Sequence, residues 1–246
     1  MAELSEGPLG AYVERVTLTG AAGAKVEAIH AAPEDGHATA GVVVHPDIMG
    51  VRPLFDDLCR RLATHGYAVC APEPFARAPE DVAETEDPMV RMQYLPKLDD
   101  DIQLGDLETA ADYLNERDHI DRAFVIGFCM GGMQTLKAAA TGAFERAVAF
   151  YGMIRVPEDW RGTRLREPLA TAKDVCATLA IFGSNDPFTP EADINALRRA
   201  WNARPDCEIV VYPDAEHGFV HAPERPAHRA DDAADAWRRT LAFLSG

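Results

Sequence analysis

Cys129 is the residue around which chemistry can be built. It lies in Gly127-Phe128-Cys129-Met130-Gly131-Gly132, directly behind the apolar run Ala123 to Ile126 and ahead of a helical stretch. A nucleophile on so sharp a strand-to-helix turn is lifted above the strand ends. The residues two before and two after it must be small, because backbone passes close to both. A sulfur at a helix N-terminus is also a place where thiolate is favoured.

Such a turn calls for an acid and then a histidine, each following a later strand. Leu179 to Gly183 leads into Asp186, and Ile209 to Tyr212 leads into the loop of His217. The intervals are 57 and 31 residues, room for a strand–helix–strand between acid and base. In these roles His217 takes or shares the cysteine proton, and Asp186 orients the imidazole and stabilises its cation. The backbone N–H of Met130, beside the nucleophile, and that of Ile48, after the Gly41–His45 strand, are the expected donors to a tetrahedral oxyanion.

The elements that must position these residues are legible from periodicity. Val13 to Leu18 and Val26 to Ala31 read as a hairpin around Gly20 to Gly23. Gly41 to His45, Tyr67 to Ala71, Ala123 to Ile126, Ala147 to Tyr151, Thr178 to Phe182 and Glu208 to Tyr212 read as short buried strands. Helical patterns run from Leu54 to Leu62, Asp101 to Arg117, Gly131 to Thr141, Ile194 to Trp201 and Ala230 to Leu244. Alternating strands and helices predict an α/β protein. Its central sheet is mostly parallel, helices cover both faces and an antiparallel hairpin sits at the N-terminal end. No Gly/Ser- or Pro-rich linker divides the chain, so one domain over 1–246 is expected. Residues 76–98, acidic and with prolines at 79, 88 and 96, are expected as an irregular excursion beside the site. The run Asp99-Asp100-Asp101 reads as a solvated helix N-terminus.

Composition narrows the function classes. With 24 Lys and Arg against 40 Asp and Glu in 246 residues, the net charge is −16, which disfavours a nucleic-acid partner. It also gives no attraction to anionic membranes. An apolar fraction of 47% supports a sizeable core. The five cysteines are widely spaced and odd in number, which fits packing residues in a reducing compartment. Cys59, Cys70, Cys176 and Cys207 read as packing residues. No secretory leader and no apolar run of about 18 residues is seen, so a cytoplasmic location is expected.

Together these motifs resemble the dienelactone hydrolase (carboxymethylenebutenolidase-like) family of the α/β-hydrolase fold. The resemblance runs through Val42-Val-Val-His-Pro-Asp47-Ile-Met-Gly50, Cys70-Ala-Pro-Glu-Pro-Phe-Ala-Arg77, Gly105-Asp-Leu-Glu-Thr-Ala and Gly127-Phe-Cys-Met-Gly-Gly132. It continues through Phe150-Tyr-Gly152, Asp186, and Glu216-His-Gly-Phe219 with Arg225-Pro226. It implies hydrolysis of a small lactone or activated ester through an acyl-cysteine, without cofactor or metal. It also implies that Asp47 contacts the resting cysteine and that Arg91, with Tyr94, grips a substrate carboxylate. A second family arginine, four residues after the histidine, is replaced here by His221, which offers no bidentate fork.

Two rival readings stay in play. His217 and His221 at i, i+4 suggest a metal-dependent hydrolase, although Pro213 and Gly218 make the segment a loop and no H-E-x-x-H is present. The scaffold is also compatible with a non-catalytic binding protein. Oligomeric state is not readable from the sequence.

Overall fold

The computed structural model describes residues 4–246. In chain order the elements are β1 (Ala11–Thr19), β2 (Lys25–Pro33), β3 (Ala40–His45), α1 (Pro53–Thr64), β4 (Tyr67–Pro72), α2 (Glu80–Ala83) and α3 (Pro88–Tyr94). Then follow α4 (Asp100–Asp118), β5 (Ala123–Phe128), α5 (Met130–Ala138), β6 (Arg146–Phe150), β7 (Ala177–Gly183), α6 (Glu191–Ala200), β8 (Cys207–Tyr212) and α7 (Ala230–Ser245).

The eight strands form one sheet in the order β1-β2-β4-β3-β5-β6-β7-β8. β1 pairs antiparallel with β2, and β2 antiparallel with β4. Every pairing from β4 across to β8 is parallel. This is the α/β-hydrolase architecture that the sequence implied. β3 and β4 are buried along their whole length. That burial explains why they read as unbroken apolar runs rather than as alternating patterns.

Each face of the sheet carries its own core. On one side Leu58 and Leu62 of α1 and Trp237 of α7 pack over Val42, Ile126 and Phe150. On the other, Leu107 and Leu114 of α4 and Leu197 of α6 pack over Val43, Val125 and Phe182. Each such side chain, fully buried, contributes about 1.5–3 kcal/mol. The antiparallel hairpin turns through a short 3-10 segment at Ala21–Gly23.

Two expectations are corrected. Residues 76–98 are not irregular throughout: they hold α2, α3 and a 3-10 turn at Leu95–Lys97. Pro79 precedes α2, Pro88 opens α3 and Pro96 stands inside the turn, so each proline restarts the chain rather than dissolving it. The Asp99–Asp101 run is not uniformly solvated either. Asp99 caps α4 by accepting from Asp101 N at 3.0 Å. Asp100 is buried and accepts from Lys137 Nζ at 2.8 Å and Gln134 Nε2 at 3.0 Å. Lys137, itself buried on α5, supplies the charge that makes a buried carboxylate tolerable.

Candidate active site

The parallel strands all end on one edge of the sheet, the usual place for a site in such folds. Asp47 follows β3, Cys129 follows β5, Tyr151 follows β6, Asp186 follows β7, and His217 and His221 follow β8.

Cys129 has φ 58° and ψ −118°, a conformation that costs an L-residue about 1–3 kcal/mol. The surrounding backbone enforces it. A Cβ on Gly127 would lie 2.2 Å from the Gly131 carbonyl oxygen, and one on Gly131 would lie 2.2 Å from that of His45. The β3 end, the turn and the first turn of α5 are therefore in contact through bare glycines. Cys129 N donates to Phe150 O at 3.0 Å, tying the turn to β6. Among the described residues neither the Met130 nor the Ile48 backbone N–H donates to a protein acceptor.

His217 and Asp186 meet at 2.8 Å between Nδ1 and Oδ2. Asp186 Oδ1 accepts from Phe188 N at 2.8 Å, which fixes the carboxylate in its turn. The other imidazole nitrogen, Nε2, is buried without a hydrogen bond of full geometry. His217 is raised from the ordinary histidine value to about 10. Burial opposes the cation; the electrostatic interaction with Cys129 and then the Asp186 hydrogen bond outweigh it. Cys129, His217 and Asp186 are thus brought together in the expected order.

Asp47 and His221 depart from expectation. Asp47 does not turn to the cysteine. Its Oδ1 accepts from Arg52 Nη1 at 2.6 Å and Met49 N at 2.9 Å. Its Oδ2 accepts from Arg52 Nη2 at 2.8 Å and His221 Nε2 at 2.7 Å. His221 does not face a substrate: it is fully buried, with Nδ1 bonded to the Tyr151 hydroxyl. Burial holds His221 below the ordinary imidazole value, so it is neutral at pH 7. A neutral ring donating from Nε2 must accept at Nδ1, so Tyr151 is the donor there. Burial, with the charges of Asp47 and Cys129 behind it, raises the Tyr151 hydroxyl far above its usual value, so its proton stays. For Asp47 burial also resists ionisation, but His221 and then Arg52 outweigh it and hold the carboxyl below its usual range. His217 and His221 consequently point to different partners and share no ligand position.

Arg91 is buried rather than solvated. Its Nη2 donates to Ala83 O at 2.5 Å and its guanidinium lies over Phe75 at 4.9 Å. Nη1 stands 3.7 Å from Glu73 Oε1, while Nε and Nη1 make no hydrogen bond. A Cβ on Gly50 would come within 2.7 Å of Nη1, so the Asp47 loop runs against this cation. Burial pushes Glu73 above the usual carboxylate value despite N–H donors from Val51 and Phe75. Tyr94 is only partly buried, 6.5 Å from Phe75 between ring centres.

Sequence reasoning missed four residues here. Arg52 neutralises Asp47, and Tyr151, at φ 40°, carries the hydroxyl that meets His221. Phe188 lies 4.9 Å from the His217 ring and 6.1 Å from Trp160, giving one wall of the site an aromatic surface. Position offered a signal for Tyr151 and Phe188: each lies within five residues of the end of a strand that points at the site.

The comparisons agree with this fold. The model of the dienelactone hydrolase family matches residues 26–246. A relative from Escherichia coli strain K12, named "Putative carboxymethylenebutenolidase", is 34% identical over 245 residues, 96% of this chain and 88% of that protein. The carboxymethylenebutenolidase of Rhodococcus opacus is 27% identical over 221 residues, 88% of this chain and 84% of that one. A solved structure from Klebsiella pneumoniae subsp. pneumoniae MGH 78578, described as a "Putative Dienelactone Hydrolase", has a TM-score of 0.86 at 29% identity. It covers 96% of this chain and 98% of its own. With the α/β-hydrolase sheet and a family match over nearly the whole chain, this protein belongs to the dienelactone hydrolase family, a family of lactone and ester hydrolases.

Proposed function

We propose that the protein hydrolyses a small lactone or activated ester through an acyl-cysteine on Cys129, with His217 as proton carrier and Asp186 as its orienting acid. One observation carries the reading. A cysteine at positive φ heads α5 beside a histidine whose far nitrogen is held by an aspartate.

In the first half, Sγ attacks the substrate carbonyl carbon and forms a C–S bond. The oxyanion that develops takes N–H donation from Met130 and Ile48, each of which typically contributes about 3 kcal/mol in such a hole. The intermediate collapses, the C–O bond breaks, and His217 Nε2–H protonates the leaving oxygen. In the second half, water gives its proton to His217 as it attacks the acyl carbon. The C–S bond then breaks, the sulfur leaves as thiolate, and the carboxylic acid product is released.

Arg91 supports a substrate that carries a carboxylate of its own. A buried guanidinium whose Nε and Nη1 make no hydrogen bond can donate a charge-assisted pair to a carboxylate. The net charge of −16 is no obstacle, because this cation is local and shielded from most of the acidic surface. Arg225 adds positive charge from the loop after β8, where its Nη1 lies 2.5 Å from the place of a Cβ on Gly218.

The test is hydrolysis of p-nitrophenyl esters and five-membered lactones by wild type and Cys129→Ala, with intact mass measured after rapid quench. Wild type is expected to carry a transient acyl mass, and Cys129→Ala to lose about 10³-fold or more in kcat. Activity that survives in Cys129→Ala overturns the proposal.

A further inference from the structure

Glu73 stands at the end of β4 between Pro72 and Pro74, so its backbone has little freedom. Its own N–H donates to Glu27 O of β2 at 2.8 Å. The side chain is partly buried and turns toward the loop after β3. Oε2 accepts from Val51 N at 2.7 Å, and Oε1 accepts from Phe75 N at 2.9 Å. The first bond reaches the loop that carries Ile48; the second stays within the turn after β4.

Gly50 shows how closely these parts meet. A Cβ there would lie 2.5 Å from Glu73 Oε2, 2.6 Å from Glu73 Oε1 and 2.7 Å from Arg91 Nη1. Carboxylate and guanidinium thus crowd one α-carbon, two residues after Ile48. Within the loop, Gly50 N donates to Asp47 O at 3.0 Å, and Gly50 O accepts from Arg52 Nη1 at 3.1 Å. Arg91 has holds of its own, the Ala83 carbonyl and the Phe75 ring. Glu73 Oε1 and Arg91 Nη1, 3.7 Å apart, attract without a hydrogen bond. The acid therefore offsets the cation yet leaves Nη1 free to donate.

We infer that Glu73 is a positioning residue with two effects on one site. Its Oε2 pins Val51, and through it the loop that presents the Ile48 N–H to the oxyanion. Its charge beside Arg91 limits how strongly that cation draws a substrate carboxylate. The assignment rests on Ile48 and Arg91 acting as proposed, and it adds what governs both.

Glu73→Gln separates the two effects from a general loss of structure. An amide has one acceptor oxygen where the carboxylate has two. With its NH2 in the place of Oε1 it would face two donors, Phe75 N and Arg91 Nη1. In the place of Oε2 it faces only Val51 N. The amide therefore keeps the Phe75 bond and releases the loop.

The experiment is steady-state kinetics on a matched pair of p-nitrophenyl esters, one neutral and one bearing a carboxylate, at one mildly alkaline pH. Glu73→Gln is expected to lose about 10-fold or more in kcat on both esters, because the oxyanion donor is displaced. Its KM for the charged ester is expected to fall about 3-fold or more, because a like charge has left the guanidinium, while KM for the neutral ester stays within about 2-fold. In an Arg91→Met background, Glu73→Gln should still lower kcat but no longer shift the charged-ester KM. Assays run well below the melting temperature of each variant, so lost stability is not read as lost turnover.

A kcat for Glu73→Gln within about 2-fold of wild type overturns the inference. So does a charged-ester KM that rises, that moves together with the neutral one, or that falls equally without Arg91. Cys129→Ala is assayed alongside. If it still hydrolyses both esters, the acyl-cysteine reading fails and the Glu73 ratios still decide the inference. An inactive Cys129→Ala beside an unaltered Glu73→Gln sinks the inference alone.

Discussion

His221 Nε2 and Asp47 Oδ2 stand 2.7 Å apart in the interior, although 174 residues separate them along the chain. The contact joins the loop after β3 to the loop after β8 across the site. Asp47→Asn is expected to destabilise the protein by about 2–3 kcal/mol at pH 7, because Arg52 and His221 lose a charged acceptor. A carboxyl held below its ordinary range stabilises the fold above that range and loses the contribution as pH falls through its folded value. Urea melts should therefore show the gap between wild type and Asp47→Asn narrowing once pH drops below about 4.

Asp186→Asn keeps the shape but removes the charge that holds the His217 tautomer. A fall of about 10³–10⁴ in kcat/KM on the best ester is expected, with the fold intact by circular dichroism. Retention of more than a tenth of wild-type activity would falsify the assignment of Asp186.

Gly131→Ala tests the turn itself. The new methyl would lie 2.2 Å from His45 O and 2.3 Å from Pro46 O, so either β3 or α5 must move. Loss of about 3 kcal/mol in stability and of most hydrolytic activity is expected, read by thermal melt and ester assay.

Proton linkage at His217 gives a pH signature. A histidine raised in the folded protein stabilises fully below its unfolded value, and that contribution fades as pH climbs toward about 10. Removing the sulfur weakens the main partner of the cation. Between pH 6.5 and 10 the Tm of wild type should therefore fall more steeply than that of Cys129→Ser. Parallel profiles would show that sulfur and imidazole are not coupled.

Arg91→Met addresses substrate charge. On matched ester pairs with and without a carboxylate, wild type is expected to favour the charged member by at least about 10-fold, and the variant to lose that preference while keeping neutral-ester turnover. Equal treatment of the pair by wild type removes Arg91 from the binding role.

Local rules carried much of this site. A glycine-flanked cysteine after an apolar run, an aspartate in the turn after β7 and a histidine in the loop after β8 each follow from strand ends and turn chemistry, so their order could be read directly. Partners of Asp47 could not. Arg52 is only five residues away, but whether it folds back depends on Pro53 opening α1, and His221 arrives from the far end of the chain. His221 was readable as a loop residue and not as a buried one, because the loop after β8 turns inward at Phe219 and Val220. Asp100 escaped for the same kind of reason. Its partner Lys137 belongs to another helix, and no periodicity of α4 marks a buried acid.

Phe128, the chain neighbour of Cys129, stacks on Phe150 at 4.7 Å and lies 5.9 Å from Trp237 of α7. Trp160 stands by Phe188 on the aromatic wall, while Trp201 is on the opposite face with its indole donating to Ala172 O at 2.7 Å. The protein thus carries three optical reporters, two packed against residues that adjoin the site and one on the opposite face of the sheet. With Trp201 replaced by phenylalanine, the remaining fluorescence comes from indoles that border the nucleophile strand and the pocket wall. Stopped-flow emission can then follow the sulfur's chemistry in real time, with no dye attached and no chromogenic substrate needed.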